Sequence, residues 1–309
     1  SQVMAGVRER IQKLHDTGGE GGGGQRTLHN FPGFQATYEQ VVAWVRGWPL
    51  GALRRAISRP DMRRRIDEAM AALGAVMQIP QAQRDAQDLQ RLEKARETLV
   101  LVATAVRQFR AAIWGQGLWQ RLPIQLKMRH YATGIDEVVR ELYTVASQRY
   151  PVLNDAVLLA YGSYGLRRPS AKSDADLVIV VTDETFRSVE MQEARTAFYY
   201  LLTDSLGEVV RFGDAPFVVP LSDIEGRLQA FELATHHKYL RARVVAGNRD
   251  LYQQHVKPMV QDHLRRHRET IIRRLIMKRE EEYVNQREHP LGIDLKVGLG
   301  GVREREPIG

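Results

Sequence analysis

Apolar residues recur every three to four positions through much of the first 115 residues, the period of helices with one buried face. Tyr38, Val41, Val42 and Val45 form one such face. Met62, Ile66, Met70, Leu73 and Met77 form another, opened by Pro60, whose fixed φ suits a helix start. Leu92, Ala95, Leu99, Val102, Val106, Phe109 and Ile113 alternate steps of three and four, a heptad-like seam. It predicts a long helix packed on other helices, either in a bundle within the chain or across a dimer. The pattern breaks from Gly115 to Pro123, and a helix from about Gly134 to Gln148 leads to Pro151. At the other end, Val3, Val7, Ile11 and Leu14 place a short amphipathic helix before a Gly-rich linker, Thr17 to Gln25. The linker has no Gly-Lys-Ser/Thr ending and is not a P-loop.

The period then changes. Val157–Ala160 and Leu177–Val181 are short, continuous apolar runs, read as strands. Thr182-Asp183 is placed to cap a helix running to about Leu206, ended by Gly207. Glu208 to Val219 reads as a strand pair around Gly213-Asp214-Ala215-Pro216, and the chain from Ser222 to about Arg287 reads as helix. The expectation is an α+β protein in four parts: helix and linker (1–25), helical bundle (26–150), a sheet-containing core (151–222) and a C-terminal helical region (223–309).

The candidate chemistry lies between the two strands. Tyr161-Gly162-Ser163-Tyr164-Gly165 follows the first, and Ser173-Asp174-Ala175-Asp176 enters the second. Side chains at i and i+2 of a strand share a face. Asp174 and Asp176 would therefore stand side by side, roughly 6–7 Å apart at about 3.3 Å per residue. Two hard oxygen donors at that spacing suit Mg²⁺, which takes one or two carboxylates and completes its shell with water and phosphate. Gly162 lets backbone approach a phosphate, Ser163 adds a hydroxyl, and the following N–H groups can face an anion. A lone Asp-x-Asp or a lone Gly-Ser turn is often only a polar strand entry, so the signal is their combination.

Composition narrows the classes. Among 309 residues there is no cysteine, which excludes disulfides, thiolate metal sites and cysteine nucleophiles. No run of 18 apolar residues exists and no apolar signal core opens the chain, so a cytoplasmic protein without a membrane partner is expected. The net charge of +8 comes largely from arginine and suits phosphate-bearing or acidic partners. Arg54-Arg55 and Arg63-Arg64-Arg65 form a solvated helix face or a contact for RNA or acidic protein. Leu264 to Lys278 is a basic amphipathic helix that either packs on the core or lines a groove. Met62, Met70 and Met77 read as core filling rather than a cofactor box. His236 and His237 are adjacent, so their rings diverge on a helix, which is poor geometry for a shared metal.

With these residues in view, the chain resembles the nucleotidyltransferase superfamily of DNA polymerase β and the aminoglycoside nucleotidyltransferases. Gly162-Ser163 followed by Asp174-x-Asp176 carries the likeness. Tyr239-Leu240-Arg241-Ala242-Arg243-Val244-Val245-Ala246-Gly247-Asn248 is similar to the helix after the catalytic sheet in glutamine-synthetase adenylyltransferases. Asp294-Leu295-Lys296-Val297-Gly298-Leu299-Gly300-Gly301-Val302-Arg303-Glu304 looks like the Lys-x-Gly-x-Gly-Gly-Ile/Leu-Arg-Asp motif of that branch and of the protein uridylyltransferases. The likeness spans roughly 150 to 305.

It implies a nucleotidyltransferase core, a small mixed sheet flanked by helices, between helical segments. It implies Mg²⁺ held by Asp174 and Asp176, with Asp214 as third carboxylate or base. Gly162, Ser163, Lys172, Ser173, Lys296 and Arg303 would bind the nucleotide. The reaction implied is transfer of AMP from ATP to a hydroxyl on a protein such as glutamine synthetase. Phe217-Val218-Val219-Pro220 departs from the branch, which tends to show Leu-Arg-Pro after this Asp, so Asp214 is alternatively a turn residue. The family motif leads into further helical sequence, so a longer parent chain is expected. Two rival functions stay open: an RNA 3′-end nucleotidyltransferase, and a catalytically weak module that senses a nucleotide or binds a partner.

Overall fold

The computed structural model describes residues 49–115, 123–170, 175–206 and 217–287. The N-terminal helix, the Gly-rich linker and the apolar face of Tyr38, Val41, Val42 and Val45 expected from the sequence lie outside the described residues, as do Lys172, Ser173, Asp174, Asp214, Lys296 and Arg303.

The described chain is α+β, mostly helical around one small mixed sheet. A helical segment, 49–57, precedes α1 (Pro60–Val76), α2 (Ala86–Trp114) and α3 (Ile124–Arg149). Pro60 does open α1, and Asp85 and Asp88 close a reciprocal capping box on α2, with Asp88 N–H 2.8 Å from Asp85 Oδ1. All seven seam residues of α2 are buried, and so are Met62, Ile66, Met70 and Leu73 of α1. The seam is satisfied within the chain, by α1, α3 and the later helix Val189–Leu206. Gly134 lies under the Phe109 ring, where a β-carbon would overlap it, so this glycine sets how closely α3 approaches α2. The helix expected from Gly134 starts ten residues earlier, directly after Pro123.

The sheet orders β3-β2-β1-β4. Strand β1 (Val157–Ala160) lies antiparallel to β2 (Leu177–Val181) on one side and to β4 (Arg243–Gly247) on the other. Strand β3 (Val218–Pro220) runs parallel to β2. Every residue of β1 and β2 is buried, which explains their unbroken apolar sequence: both faces are covered. Between β1 and β2 stands a single helical turn, α4 (Gly162–Gly165). The crossover to β3 carries α5 (Asp183–Arg187) and α6 (Val189–Leu206). One helix was expected here. Thr182 does cap its start, but Ser188 adopts extended backbone and caps a second one, accepting from Met191 N–H at 3.1 Å.

After β3 come α7 (Leu221–Gln229), α8 (Leu233–Leu240), β4, the short turn α9 (Arg249–Leu251), a π-helical turn at Tyr252–Val256, α10 (Lys257–Arg266) and α11 (Arg268–Arg287). Val157, Leu159, Val178, Val180 and Val219 face Ile224, Leu228, Tyr239, Val256 and Val260 in one core. The alternate strand residues point to the other face. There Tyr143 of α3 meets Phe198 of α6 edge to face at 5.5 Å.

Strand β4 corrects the sequence reading, which carried helix through 239–248. The periodicity of α8 ends at Leu240, and the β-branched pair Val244-Val245 supplies strand propensity that the apolar stripe concealed. The decisive term is long-range. The second edge of the buried strand β1 has N–H and C=O groups that need partners, and β4 supplies them. A bulge in that pairing falls between Leu158 and Leu159, and the Val245 carbonyl accepts from Arg140 Nε at 3.2 Å.

The sheet and the bundle are tied together at Asp136, a carboxylate of α3 with no exposure to water. Arg243 of β4 grips it through two N–H groups, at 2.7 and 3.0 Å, and the Tyr164 hydroxyl of α4 donates at 2.6 Å. Arg243 Nε also donates to Gly165 O at 3.3 Å. Elsewhere the basic cluster is partly committed internally: Arg54 pairs with Glu137 at 3.0 Å, and Arg63 with Glu141.

Removing one partner of a buried pair leaves the other charge uncompensated. Asp136→Ala is therefore expected to lower unfolding free energy by about 3–5 kcal/mol in a urea titration. Adding Arg243→Met to that variant should recover part of the loss.

Candidate active site

The end of β1 and the start of β2 meet at Tyr161 and Asp176. The Tyr161 N–H donates to the Asp176 carbonyl at 3.1 Å, the last rung of the antiparallel pair. The next residue, Gly162, turns the chain at φ +60°, a left-handed conformation that glycine adopts freely. A β-carbon on Gly162 would overlap the Asp176 carboxylate. The turn therefore closes directly over that side chain, bringing together two residues that the sequence reading paired. Ser163 lies in the same turn, half-buried, and its carbonyl accepts from Arg168 N–H at 2.8 Å. A helical start does follow the turn, as the sequence reading had it, but α4 is a single turn of four residues, so an anion here would meet individual N–H groups.

The face of the sheet that carries Asp176 also carries Tyr161, Val178 and Val180, and α7 and α8 cover it. Polar residues that sequence reasoning did not single out arrive with those helices. Arg227 of α7 pairs with Asp223 at 3.1 Å and reaches Glu232 at 3.7 Å. Lys238 of α8 holds its ammonium over the Tyr161 ring, 4.3 Å from the centroid, with the Tyr239 ring at 5.5 Å.

Burial pushes the Lys238 ammonium down to about 8 and Arg227 adds to this, while the Asp176 and Asp223 carboxylates oppose it. Burial pushes the Tyr161 hydroxyl up to about 12, reinforced by the Asp176 charge. Both shifts mark a partly desolvated recess next to a carboxylate, where an anionic ligand's charges are poorly screened.

Asp176 offers a hard oxygen donor of the type Mg²⁺ takes. Among the described residues, no group of three or more His, Asp or Glu side chains converges as a metal site. Asp174, the intended second donor, and Asp214 fall outside the described residues.

A histidine cluster borders α8 on its other side. His236 is buried, its Nδ1 3.1 Å from the Glu232 carbonyl and its Nε2 2.9 Å from His263 Nδ1. A carbonyl only accepts, so Nδ1 of His236 carries the proton and Nε2 accepts from His263. This is a satisfied histidine, as one of the sequence readings had it. The His263 ring sits 4.5 Å from that of His267. Burial lowers both His236 and His263 from the ordinary 6.5, and for His263 the His236, His267 and Arg266 charges add to this.

A signal for the missed residues existed only in part. Asp136 interrupts the apolar stripe Ala132, Ile135, Val139 and Leu142 of an amphipathic helix, and such an interruption marks a buried, partnered charge. Lys238 has no comparable mark, since lysine on a helix ordinarily faces water. No helix among the described residues is long and apolar enough to cross a membrane. No protein-family model matches the chain, and no curated protein matches it.

Gly162→Ala should lower stability by about 1–3 kcal/mol, because it forces a left-handed alanine against Asp176. The control is Gly226→Ala in α7, with open space around its α-carbon, which should gain about 0.5–1 kcal/mol. Denaturant unfolding of both variants measures the contrast. For the histidine pair, folded-state values below 6.5 mean that the unfolded chain takes up protons first as pH falls. Their contribution is complete above about pH 6.5 and is lost below it. The melting temperature should therefore drop between about pH 7.5 and about pH 5.5, with a shallower drop in His236→Gln.

Proposed function

We propose that this chain is a Mg²⁺-dependent nucleotidyltransferase of the DNA polymerase β-like superfamily, transferring AMP from ATP to a hydroxyl, most simply on a protein acceptor. The observation that carries this reading is the closure of the Gly162 turn over the Asp176 carboxylate at the paired ends of β1 and β2. A glycine in left-handed conformation against a carboxylate, beneath a covering of helices with a desolvated lysine, suits a site for a metal-bound polyphosphate. The α+β architecture, with β1 and β2 antiparallel and adjacent, is consistent with the fold the resemblance implies.

In this reading Asp174 and Asp176 hold the ion, which supplies charge neutralisation on the phosphates when bound. The acceptor oxygen attacks the α-phosphorus and forms the new P–O bond. The bond to the bridging oxygen breaks, and pyrophosphate leaves with the electron pair. The hydroxyl proton passes to a base, for which Asp214 is the candidate. Gly162 and Ser163 orient the β- and γ-phosphates, with Lys172, Ser173, Lys296 and Arg303 completing the nucleotide site. Positioning and charge neutralisation supply most of the rate.

The test is label transfer from ATP labelled at the α or the γ position, with Mg²⁺, lysate proteins and total RNA. Label is expected on a protein band from α-ATP alone, and is expected to vanish with Asp174→Ala/Asp176→Ala. Label on RNA would assign the acceptor as an RNA 3′ end. ATP binding without transfer to any acceptor would identify a sensing module and overturn the catalytic reading.

A further inference from the structure

Lys238 is an expensive residue in its present place. A lysine at a helix surface normally extends its ammonium into water. Here α8 turns the side chain inward, over the ring of Tyr161 and against that of Tyr239. The ring faces attract the cation, but their contribution is modest beside the loss of hydration. Among the described residues, no carboxylate forms an ion pair with it. The nearest acidic groups act on it only through their fields: Asp176 and Asp223 favour the charge, and Arg227 opposes it.

The neighbouring cation is differently placed. Arg227 is engaged by Asp223 and Glu232, so its charge is largely matched. Among the described residues, Lys238 is thus a cation of this face held without an ion-pair partner. It sits over Tyr161, the residue directly before the Gly162 turn, on the same side of the sheet as Asp176. An ammonium is a compact point charge with three rotatable donors, which suits a phosphate group of variable orientation better than a planar carboxylate.

We infer that Lys238 is the polyphosphate-binding cation of the site, contacting the phosphates beyond the α-phosphorus of a nucleoside triphosphate. This inference rests on the nucleotidyl-transfer reading and deepens it. Lys238 distinguishes a triphosphate from a monophosphate, holds the pyrophosphate portion while the α-phosphorus reacts, and is helped in this by a setting that screens charge weakly. The lowered proton affinity produced by burial is consistent with a lysine awaiting an anion.

The experiment compares binding of ATP, AMP and inorganic tripolyphosphate, each with Mg²⁺, to the full chain and to Lys238→Met and Lys238→Arg. Losing one charge-assisted contact should weaken ATP and tripolyphosphate by about ten- to a hundred-fold and leave AMP within about two-fold. Arginine should restore most of the triphosphate affinity. Methionine fills the same space without a charge to desolvate, so Lys238→Met should melt no lower than the parent chain, which separates lost binding from lost folding. Equal affinities of Lys238→Met and the parent chain for ATP would overturn the inference while leaving the nucleotidyl-transfer reading intact. An equal loss of AMP and ATP would overturn it too, by showing that the lysine only positions α8. A parent chain that binds tripolyphosphate through Lys238 but shows no preference for ATP would sustain the cation site and defeat the nucleotide reading. A parent chain that binds none of the three defeats both.

Discussion

A carboxylate removed from water must be matched by donors or it destabilises everything around it. Asp136 meets that condition from three elements at once: Arg243 from β4, the Tyr164 hydroxyl from α4 and, at 3.6 Å, the Arg140 guanidinium of its own helix α3. Each partner is far away in sequence from at least one other, so the pair of hydrogen bonds from Arg243 can form only when β4 is seated beside β1. The same guanidinium holds the Gly165 carbonyl, which fixes the turn on which Gly162 and Ser163 stand. Burial of the Tyr164 ring, with its hydroxyl anchored on Asp136, pushes the phenol's proton affinity upward and keeps it a donor. The candidate site is therefore not set by its own residues alone. Its turn is pinned from behind by the charge network centred on the buried Asp136.

On the ligand side the arrangement runs the other way. Gly162 accepts a left-handed backbone against Asp176, and Lys238 keeps a charge in a poorly hydrated recess. Both features lower stability in isolation, and both lie at the mouth of the β1–β2 pair. Asp136 and Arg243 neutralise each other, while Lys238 lies over the Tyr161 ring and feels the Asp176 carboxylate through its field. A directly paired buried charge reads as structural, and a cation held over aromatic rings with its proton affinity lowered by burial is what the proposed anion site rests on.

Much of the helical region was legible because its information is local. The seam from Leu92 to Ile113 is a pattern of i, i+3 and i+4 positions, and every member is buried where the pattern places it. The Pro60 start, the Thr182 cap and the two apolar strands are likewise written within a few residues. The reading of 239–248 as helix failed for a matching reason. Local periodicity carried over from α8, and nothing nearby announced that β1 required a second partner. The split of the expected 183–206 helix turns on one extended residue, Ser188, whose own hydroxyl caps the second helix.

The sequence by itself determined an α+β chain, a helical bundle seam, two buried strands, and the pairing of a Gly-Ser turn with a nearby acidic strand entry. Helical periods, strand runs and turns depend on neighbours in sequence, so the chain states them directly. Tertiary structure alone decided that β4 completes the sheet, that Asp136 joins Arg243 and Tyr164, and that Lys238 lies over Tyr161 beside Asp176. Those contacts join residues 28 to 107 positions apart where the hydrogen bonds at Asp136 are concerned. Their energies come from burial and charge matching, which exist only once the elements have packed.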